Sequence, residues 1–337
     1  MQRSDFLIRK IFFALATVVV VIVFNFFLFR ILPGDPIKAI VRSPRLTREA
    51  REKLRVDFGL DKPVFFDVER LKDGDVIGAF DSQFTSYVNA LLHGNLGISF
   101  RSRKEVAEVL RERVWRTVVL VAGGETLALI FGVALGLVSA WRRGTRLDMS
   151  ILLWSLFSWG LPTFFLGIIL LILARGYLPV GGMVIPGLKP ADGWEYWIDV
   201  GKHLILPTLT MAIVYTSSYV MIMRSSAVEV LSEDYILTAK AKGLKTYQIM
   251  RDHALKNAML PIVTMVALNL GYTVGGAIQV ETVFSWPGVG QMMYKAVMMR
   301  DYPVLQGTFL LLAISVILAN LLADLLYSVL DPRVKPE

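Results

Sequence analysis

Ile11–Phe29 reads IFFALATVVVVIVFNFFLF, with Thr17 and Asn25 as its only polar side chains. A helix needs about twenty apolar residues to cross the hydrocarbon core of a bilayer, and this run is long enough. Five more runs follow it. Thr117–Ala140 and Val304–Ser328 hold one charge each, Glu125 and Asp324. Ile151–Ala174, Ile205–Met223 and Met259–Val280 hold none. Buried helices of a soluble protein do not repeat this pattern six times. The expected fold is an all-α polytopic membrane protein with six transmembrane helices.

The whole-chain averages agree. Of 337 residues, 55% are hydrophobic and 19% charged, with a mean hydropathy of +0.55. A soluble domain carries about a quarter charged residues, and a disordered chain carries far fewer apolar ones. There is no cysteine, which excludes disulfides, thiolate metal sites and cysteine nucleophiles. The formal net charge is +8. It fits nucleic-acid binding or basic cytoplasmic loops, and the placement of the charges favours the loops.

With the N-terminus inside, the cytoplasmic segments hold Arg3, Arg9 and Lys10, then Arg142, Arg143 and Arg146, then Arg224, Lys240, Lys242, Lys245, Arg251 and Lys256. The short outer loops hold fewer bases. Lys and Arg concentrate on the cytoplasmic side, so the topology is read as N-in/C-in. The first run exceeds a signal-peptide core and lacks a small-residue cleavage site, so it is read as a retained helix. The chain then divides into an N-terminal tail and first span (1–29), an extracytoplasmic segment (30–116), a five-helix core (117–330) with a cytoplasmic loop at 224–258, and a tail (331–337). In the outer segment, Leu46–Phe58 and Tyr87–Leu92 read as short helices. Glu105–Trp115 reads as an amphipathic interfacial helix.

The loop 224–258 is the most informative stretch. Ser232 is placed to cap a helix whose first turn holds Glu233 and Asp234 and whose last turn holds Lys240 and Lys242. Gly243 suits a left-handed stop. Thr246 caps a second helix from Tyr247 to about Asn257. Leu244, Tyr247 and Met250 are expected to stand exposed near the turn. Local physics leaves two readings open, an ordinary surface hairpin and a docking knob for a cytoplasmic partner.

Enzyme signatures are absent from the sequence. There is no HExxH, CxxC, P-loop or G-x-S-x-G pattern, so no catalytic or metal site is expected and the chain is read as a non-enzyme. Glu125 lies within its span, where a charge is expensive and must face protein or a water-filled cavity. It either lines a path or hydrogen-bonds between helices. Asn269, Tyr272 and Gln279 are further candidates for lining a path. Gly132/Gly136 and Gly271/Gly275 have the spacing for close helix approach, and Pro162 and Pro207 are candidate kinks.

Several motifs then fall into a familiar order. Asp234-Tyr-Ile-Leu-Thr-Ala-Lys-Ala-Lys-Gly-Leu244, continued by Arg251-Asp-His-Ala-Leu-Lys-Asn-Ala-Met-Leu-Pro261, resembles the EAA loop of ABC importer permeases. Leu32-Pro-Gly-Asp-Pro36, Phe58-Gly-Leu-Asp-Lys-Pro63, Leu92-His-Gly-Asn-Leu-Gly-Ile-Ser-Phe100, Glu281-Thr-Val-Phe-Ser-Trp-Pro-Gly-Val-Gly290, Arg300-Asp-Tyr-Pro303 and Asp331-Pro-Arg333 agree in sequence order. Together they are similar to the dipeptide/oligopeptide branch, first-permease type, over nearly the whole chain. The acidic residue of the general motif is missing at Leu237-Thr238-Ala239. Val64–Ser86 is longer than is common in the branch.

The resemblance implies a type I ABC importer fold in the cell (cytoplasmic/inner) membrane. It also implies a second, homologous permease, two cytoplasmic ATPase subunits and an extracytoplasmic solute-binding protein, with no nucleic acid. ATP and Mg would be bound by the ATPases, with no cofactor on this chain. Tyr235, Thr238, Ala239, Lys240, Ala241, Gly243, Leu244, Tyr247, His253, Asn257 and Pro261 would form the ATPase-coupling loop. Peptide is the first expected cargo, with oligosaccharides or nickel complexes as alternatives. A secondary transporter without an ATPase is the rival class.

Overall fold

The computed structural model of the protein describes residues 2–31, 49, 61–272 and 277–330. Among them the regular structure is helical, with two isolated bridges, Ile98 to Glu105 and Arg175 to Leu178. In chain order the helices are α1 (Gln2–Ile31), α2 (Val68–Lys72), α3 (Val76–Ala79), α4 (Gln83–Leu92), α5 (Val106–Trp141), α6 (Arg146–Gly160) and α7 (Thr163–Leu173). They continue as α8 (Trp194–Leu231), α9 (Asp234–Ala241), α10 (Thr246–Ile249), α11 (Lys256–Tyr272), α12 (Ile278–Val283), α13 (Val289–Met299) and α14 (Tyr302–Leu330). A π-helical stretch, Met250–Leu255, joins α10 to α11.

Four helices are long and apolar enough to span a membrane: Ile8–Phe29 of α1, then α5, α8 and Tyr302–Asp324 of α14. The fifth candidate, expected as one run Ile151–Ala174, is instead the pair α6 and α7, bent by 101°. Pro162 is the cause. It lacks an N–H, and its ring forces Leu161 out of the helical region. Leu161 has φ −78° and ψ 126°, which ends α6. The run Met259–Val280 divides between α11 and α12, with 273–276 outside the described residues. By contrast, α8 continues through Pro207.

In the segment after α1, the helix expected at Glu105–Trp115 is present and continuous with the run that follows it. Residues 106–115 are the opening turns of α5, which runs on to Trp141 because no proline interrupts it. Tyr87–Leu92 lies inside α4, capped by Ser82, whose Oγ accepts from the Thr85 N–H. Leu46–Phe58 (Glu49 apart) lies outside the described residues, as do the motifs at 32–36 and 331–333 and the first half of 58–63.

The chain divides into two compact units. One comprises 1–6, 114–291 and 318–337. Within it α5 packs on α8 at glycines. A Cβ at Gly136 would lie 2.7 Å from the Met223 Cβ and 2.8 Å from the Val220 carbonyl oxygen, and one at Gly132 would overlap the Tyr219 Cβ. Lipid tails are as apolar as the side chains, so close contact rather than water exclusion holds such helices together. The Gly132/Gly136 spacing read from the sequence is therefore used for packing, while Gly275 of the second pair lies outside the described residues.

The other unit comprises 7–113 and 292–317. Here two motifs distant in sequence meet. The Asp301 carboxylate accepts from the Ser99 hydroxyl at 2.7 Å, from the Phe100 N–H at 3.0 Å and from the Arg101 N–H at 3.3 Å. Gly97 has φ +87°, and a Cβ there would lie 3.7 Å from Pro303. Asn25 of α1 donates to the Gln306 carbonyl at 3.0 Å and to the Tyr87 hydroxyl at 3.3 Å.

Candidate functional site

The helix–glycine–helix arrangement is present, with its caps shifted by one residue. Helix α8 runs to Leu231, so 224–231 belong to it rather than to a loop. Ser232 closes α8, its hydroxyl donating to the Val228 carbonyl at 2.9 Å. Glu233 is the N-cap of α9, and Lys245, not Thr246, is the N-cap of α10. The Lys245 N–H donates to the Gln248 side chain at 2.9 Å. Ser232 therefore ends a helix where it was expected to start one.

Gly243 behaves as its position demands. Its φ is +78°, the left-handed conformation that only glycine adopts freely. The Gly243 N–H donates to the Lys240 carbonyl at 2.9 Å, and the Leu244 N–H donates to the Ala239 carbonyl at 3.3 Å. These two bonds make a Schellman motif, which satisfies carbonyls that the end of α9 would leave open. The motif places Leu244 back over Ala239. Leu244 is thus half-buried, not exposed, and packs with Trp141 and Leu231 around the buried Ile236, Ala239 and Ile249. Met250 is also half-buried.

The outward side is apolar and aromatic. Leu237 is 62% exposed and Tyr247 67%. Thr238, Lys240 and Ala241 are exposed as well. The Arg251 guanidinium lies 5.3 Å from the Tyr247 ring and pairs with Asp252, whose carboxyl it holds below the ordinary carboxylate value. Lys240 extends over the Trp141 ring at 5.8 Å. Tyr235, His253 and Asn257, far apart in the motif, come together: Asn257 donates to the Tyr235 hydroxyl at 2.9 Å, and the Tyr235 and His253 rings are 6.3 Å apart. These three residues tie α9 to the start of α11. Pro261 sits in α11, on its exposed side.

Behind this projection lies an ion pair that sequence reading missed. Asp148, at the start of α6, accepts two bonds of 2.8 Å from Arg224 of α8. It also accepts from the Ser139 hydroxyl and, at 2.9 Å, from the Gly144 N–H. The bidentate fork suits a guanidinium and a carboxylate. Arg142, Arg143 and Arg146 crowd the same sequence, so charge counting could not single out Arg224.

In the spans, Glu125 of α5 is 6% exposed. The Tyr219 hydroxyl of α8 donates to it, and Asn269 of α11 donates at 2.6 Å. Asn269 also lies 3.2 Å from the Tyr219 hydroxyl. Glu125 and Asn269 are thus brought together, with Tyr219 as the unforeseen third member. The side chain of Tyr272 lies outside the described residues, and Gln279 stands exposed on α12. Among the described residues no group of three or more His, Asp or Glu could hold a metal ion.

A second buried carboxylate explains another motif. Glu281 accepts from the Thr117 hydroxyl at 2.6 Å and from the Gln291 N–H at 2.8 Å, while the Thr117 hydroxyl accepts from the Val289 N–H at 2.8 Å. The Trp286 indole donates to the Arg116 carbonyl at 3.0 Å. Glu281–Gly290 is thus a clasp folded around its own first residue and pinned to α5.

The comparisons with known proteins agree with one another. The family described as "Binding-protein-dependent transport system inner membrane component" matches residues 132–336, and its N-terminal counterpart matches 3–121. A putative peptide permease of Brucella suis is 34% identical over 333 residues, covering 97% of this chain and 98% of the relative. The dipeptide transport system permease protein DppB of Escherichia coli is 34% identical over 350 residues, covering 98% of each. The glutathione transport system permease protein GsiC of Escherichia coli is 34% identical over 337 residues, covering 98% and 99%. Among solved structures, the MetNI methionine ABC transporter in inward-facing form matches with a TM-score of 0.54 at 17% identity, over 66% of this chain and 96% of that one. That likeness speaks to the fold, a type I ABC importer architecture. The chain belongs to the family of inner-membrane components of binding-protein-dependent ABC transport systems, and is a multi-pass permease subunit rather than an enzyme.

Proposed function

We propose that this subunit forms half of a path for short peptides, paired with a second, homologous permease. Two ATPases would sit below, holding ATP and Mg, and a binding protein would deliver the peptide from outside. The proposed topology is six spans, N-in and C-in, with the bent α6–α7 pair as the third and α11–α12 contributing the fifth. The peptide assignment rests on relatives named for peptide, dipeptide and glutathione transport.

The single observation that carries the coupling role is the Schellman-capped turn at Gly243. It holds α9 and α10 as one rigid body and leaves Leu237 and Tyr247 outward. A ligand shifts a conformational equilibrium only by its differential affinity for the two states. A rigid knob transmits ATPase closure to α8 and α11, whereas a loose loop would absorb it. On this reading Tyr247, Lys240, Ala241 and Thr238 face the ATPase. Tyr235, Ala239, Leu244, His253 and Asn257 keep the knob in shape, and Pro261 begins the span above. Glu125, Asn269, Tyr272 and Gln279 remain the proposed polar stations near the path.

The test is uptake of labelled di- and tripeptides by the complete transporter in liposomes. Peptide-dependent accumulation that requires ATP and the binding protein is expected. Accumulation without any ATPase present would instead favour an ion-coupled carrier. Uptake of oligosaccharide or of a nickel complex in place of peptide would reassign the cargo.

A further inference from the structure

The segment between α1 and α5 carries an exposed apolar surface. Phe65, Phe66, Val68, Leu71, Ile77 and Phe80 all stand exposed, Ile77 at 89%. A water-facing loop has no use for so many apolar side chains within so few residues.

The depth of this surface can be read from α1. The apolar stretch Ile11–Phe29 has 19 residues, about 28 Å at 1.5 Å per residue. The hydrocarbon core is about 30 Å thick. There is almost no slack, so Phe29 marks one boundary of the hydrocarbon, and Phe27 lies about 3 Å inside it. The segment is fastened at that level. The Phe65 and Phe27 rings are 5.9 Å apart, those of Phe84 and Phe26 5.2 Å, and those of Phe65 and Phe84 5.0 Å. The Asn25 amide meets the Tyr87 hydroxyl one turn deeper. Phe24 and Val20 of α1 stand exposed below, so apolar surface continues from the span into the segment.

Its backbone is prepared for a partly dry setting. The Asp67 carboxylate accepts from the Glu69 and Arg70 N–H groups at 3.0 and 3.3 Å, and Asp75 accepts from the Gly78 N–H at 2.9 Å. The Asp67 N–H is paired with the Ala79 carbonyl at 2.9 Å. Open backbone groups are what hydrocarbon penalises most. The charge is mixed and acidic in balance: between 61 and 81 there are six Asp or Glu and three Lys or Arg. Attraction to anionic headgroups is therefore not the driving force.

We infer that residues 64–80 form a membrane anchor, with Phe65, Phe66, Ile77 and Phe80 inserted among the lipids at the end of α1. The occupant of this surface is lipid, held by apolar burial and indifferent to headgroup charge. The anchor sets the depth and tilt of α1, and it does not depend on which solute is carried.

The natural lack of cysteine makes a direct test available. Ile77→Cys in the assembled transporter is labelled with the fluorophore NBD and placed in phosphatidylcholine nanodiscs, with Lys189→Cys as the water-exposed reference. The expected result is strong quenching at position 77 by lipids spin-labelled near the headgroup end of the chain. Iodide accessibility is expected to be several-fold lower than at 189, and both results should be unchanged when phosphatidylglycerol is added. Equal iodide accessibility at 77 and 189 overturns the inference. So does protection that arises only when the binding protein is added, which would make the surface a protein dock. Quenching seen only with phosphatidylglycerol overturns it too.

Discussion

At Gly288 the hydrogen on Cα is the only substituent that fits. A Cβ there would overlap the Glu281 carboxylate, which is fully buried and already accepts from Thr117 and Gln291. Overpacking of this kind costs about 1–3 kcal/mol. Gly288→Ala is expected to lower the unfolding temperature in detergent. Gly201→Ala, inside α8 with open space around its Cα, is expected to be neutral or slightly stabilising. Equal shifts for the two variants would remove the clasp from the account.

Glu125 is decided by what surrounds it. Glu125→Gln keeps an oxygen acceptor for Tyr219 and Asn269. Glu125→Leu takes that acceptor from the buried Tyr219 hydroxyl and from Asn269, a loss of about 1–3 kcal/mol. If the residue ties helices together, Gln retains most peptide uptake and Leu loses stability and uptake together. If its charge acts on the passing solute, Gln abolishes uptake while the protein stays folded. The measurement is transport rate beside thermal stability for both variants.

At the scale of elements, the turn at Gly243 separates backbone from side-chain effects. Nothing lies within 4 Å of a Cβ placed there, yet φ is +78°. Substitution therefore meets no clash, only the strain of a left-handed residue, about 1–2 kcal/mol and worst for a β-branched side chain. Gly243→Val is expected to abolish peptide-stimulated ATP hydrolysis, while Gly243→Asn, which tolerates this conformation, retains much of it. Normal coupling in the Val variant would sink the proposed role of the loop. Helix, glycine and helix were legible from capping chemistry alone. The exact caps were not, because Ser232 gives its hydroxyl to the Val228 carbonyl at the end of α8, and α9 and α10 start without a side-chain cap. The exposure of Leu244 was misread because the Schellman turn folds it back onto Ala239, a contact local propensity does not show.

At the scale of the whole molecule, spans separate in sequence bring motifs into register. Asp301 and Ser99–Arg101 are about two hundred positions apart, yet one carboxylate serves three donors of the outer segment. Asp301→Ala would take the acceptor from the buried Ser99 hydroxyl, a cost of about 1–3 kcal/mol. Faster proteolytic cleavage between 97 and 105, with α14 intact, is the expected reading. Unchanged cleavage would mean that the loop is held by other contacts.

The sequence by itself determined that this chain lives in a membrane, which ends of its helices are charged, where the glycine turn after α9 lies and which family it joins. Apolar length, basic residues near span ends and a glycine after a capped helix act locally, so they can be read one segment at a time. Only the tertiary structure decided that the third apolar run is bent at Pro162, that Glu125 is shared by Tyr219 and Asn269, that Arg224 and not its basic neighbours grips Asp148, and that Phe65, Phe84 and Tyr87 fasten onto the end of α1. Each depends on which side chain of one element reaches another across space. Many residues of the same type compete for each contact, and only the packed chain selects one.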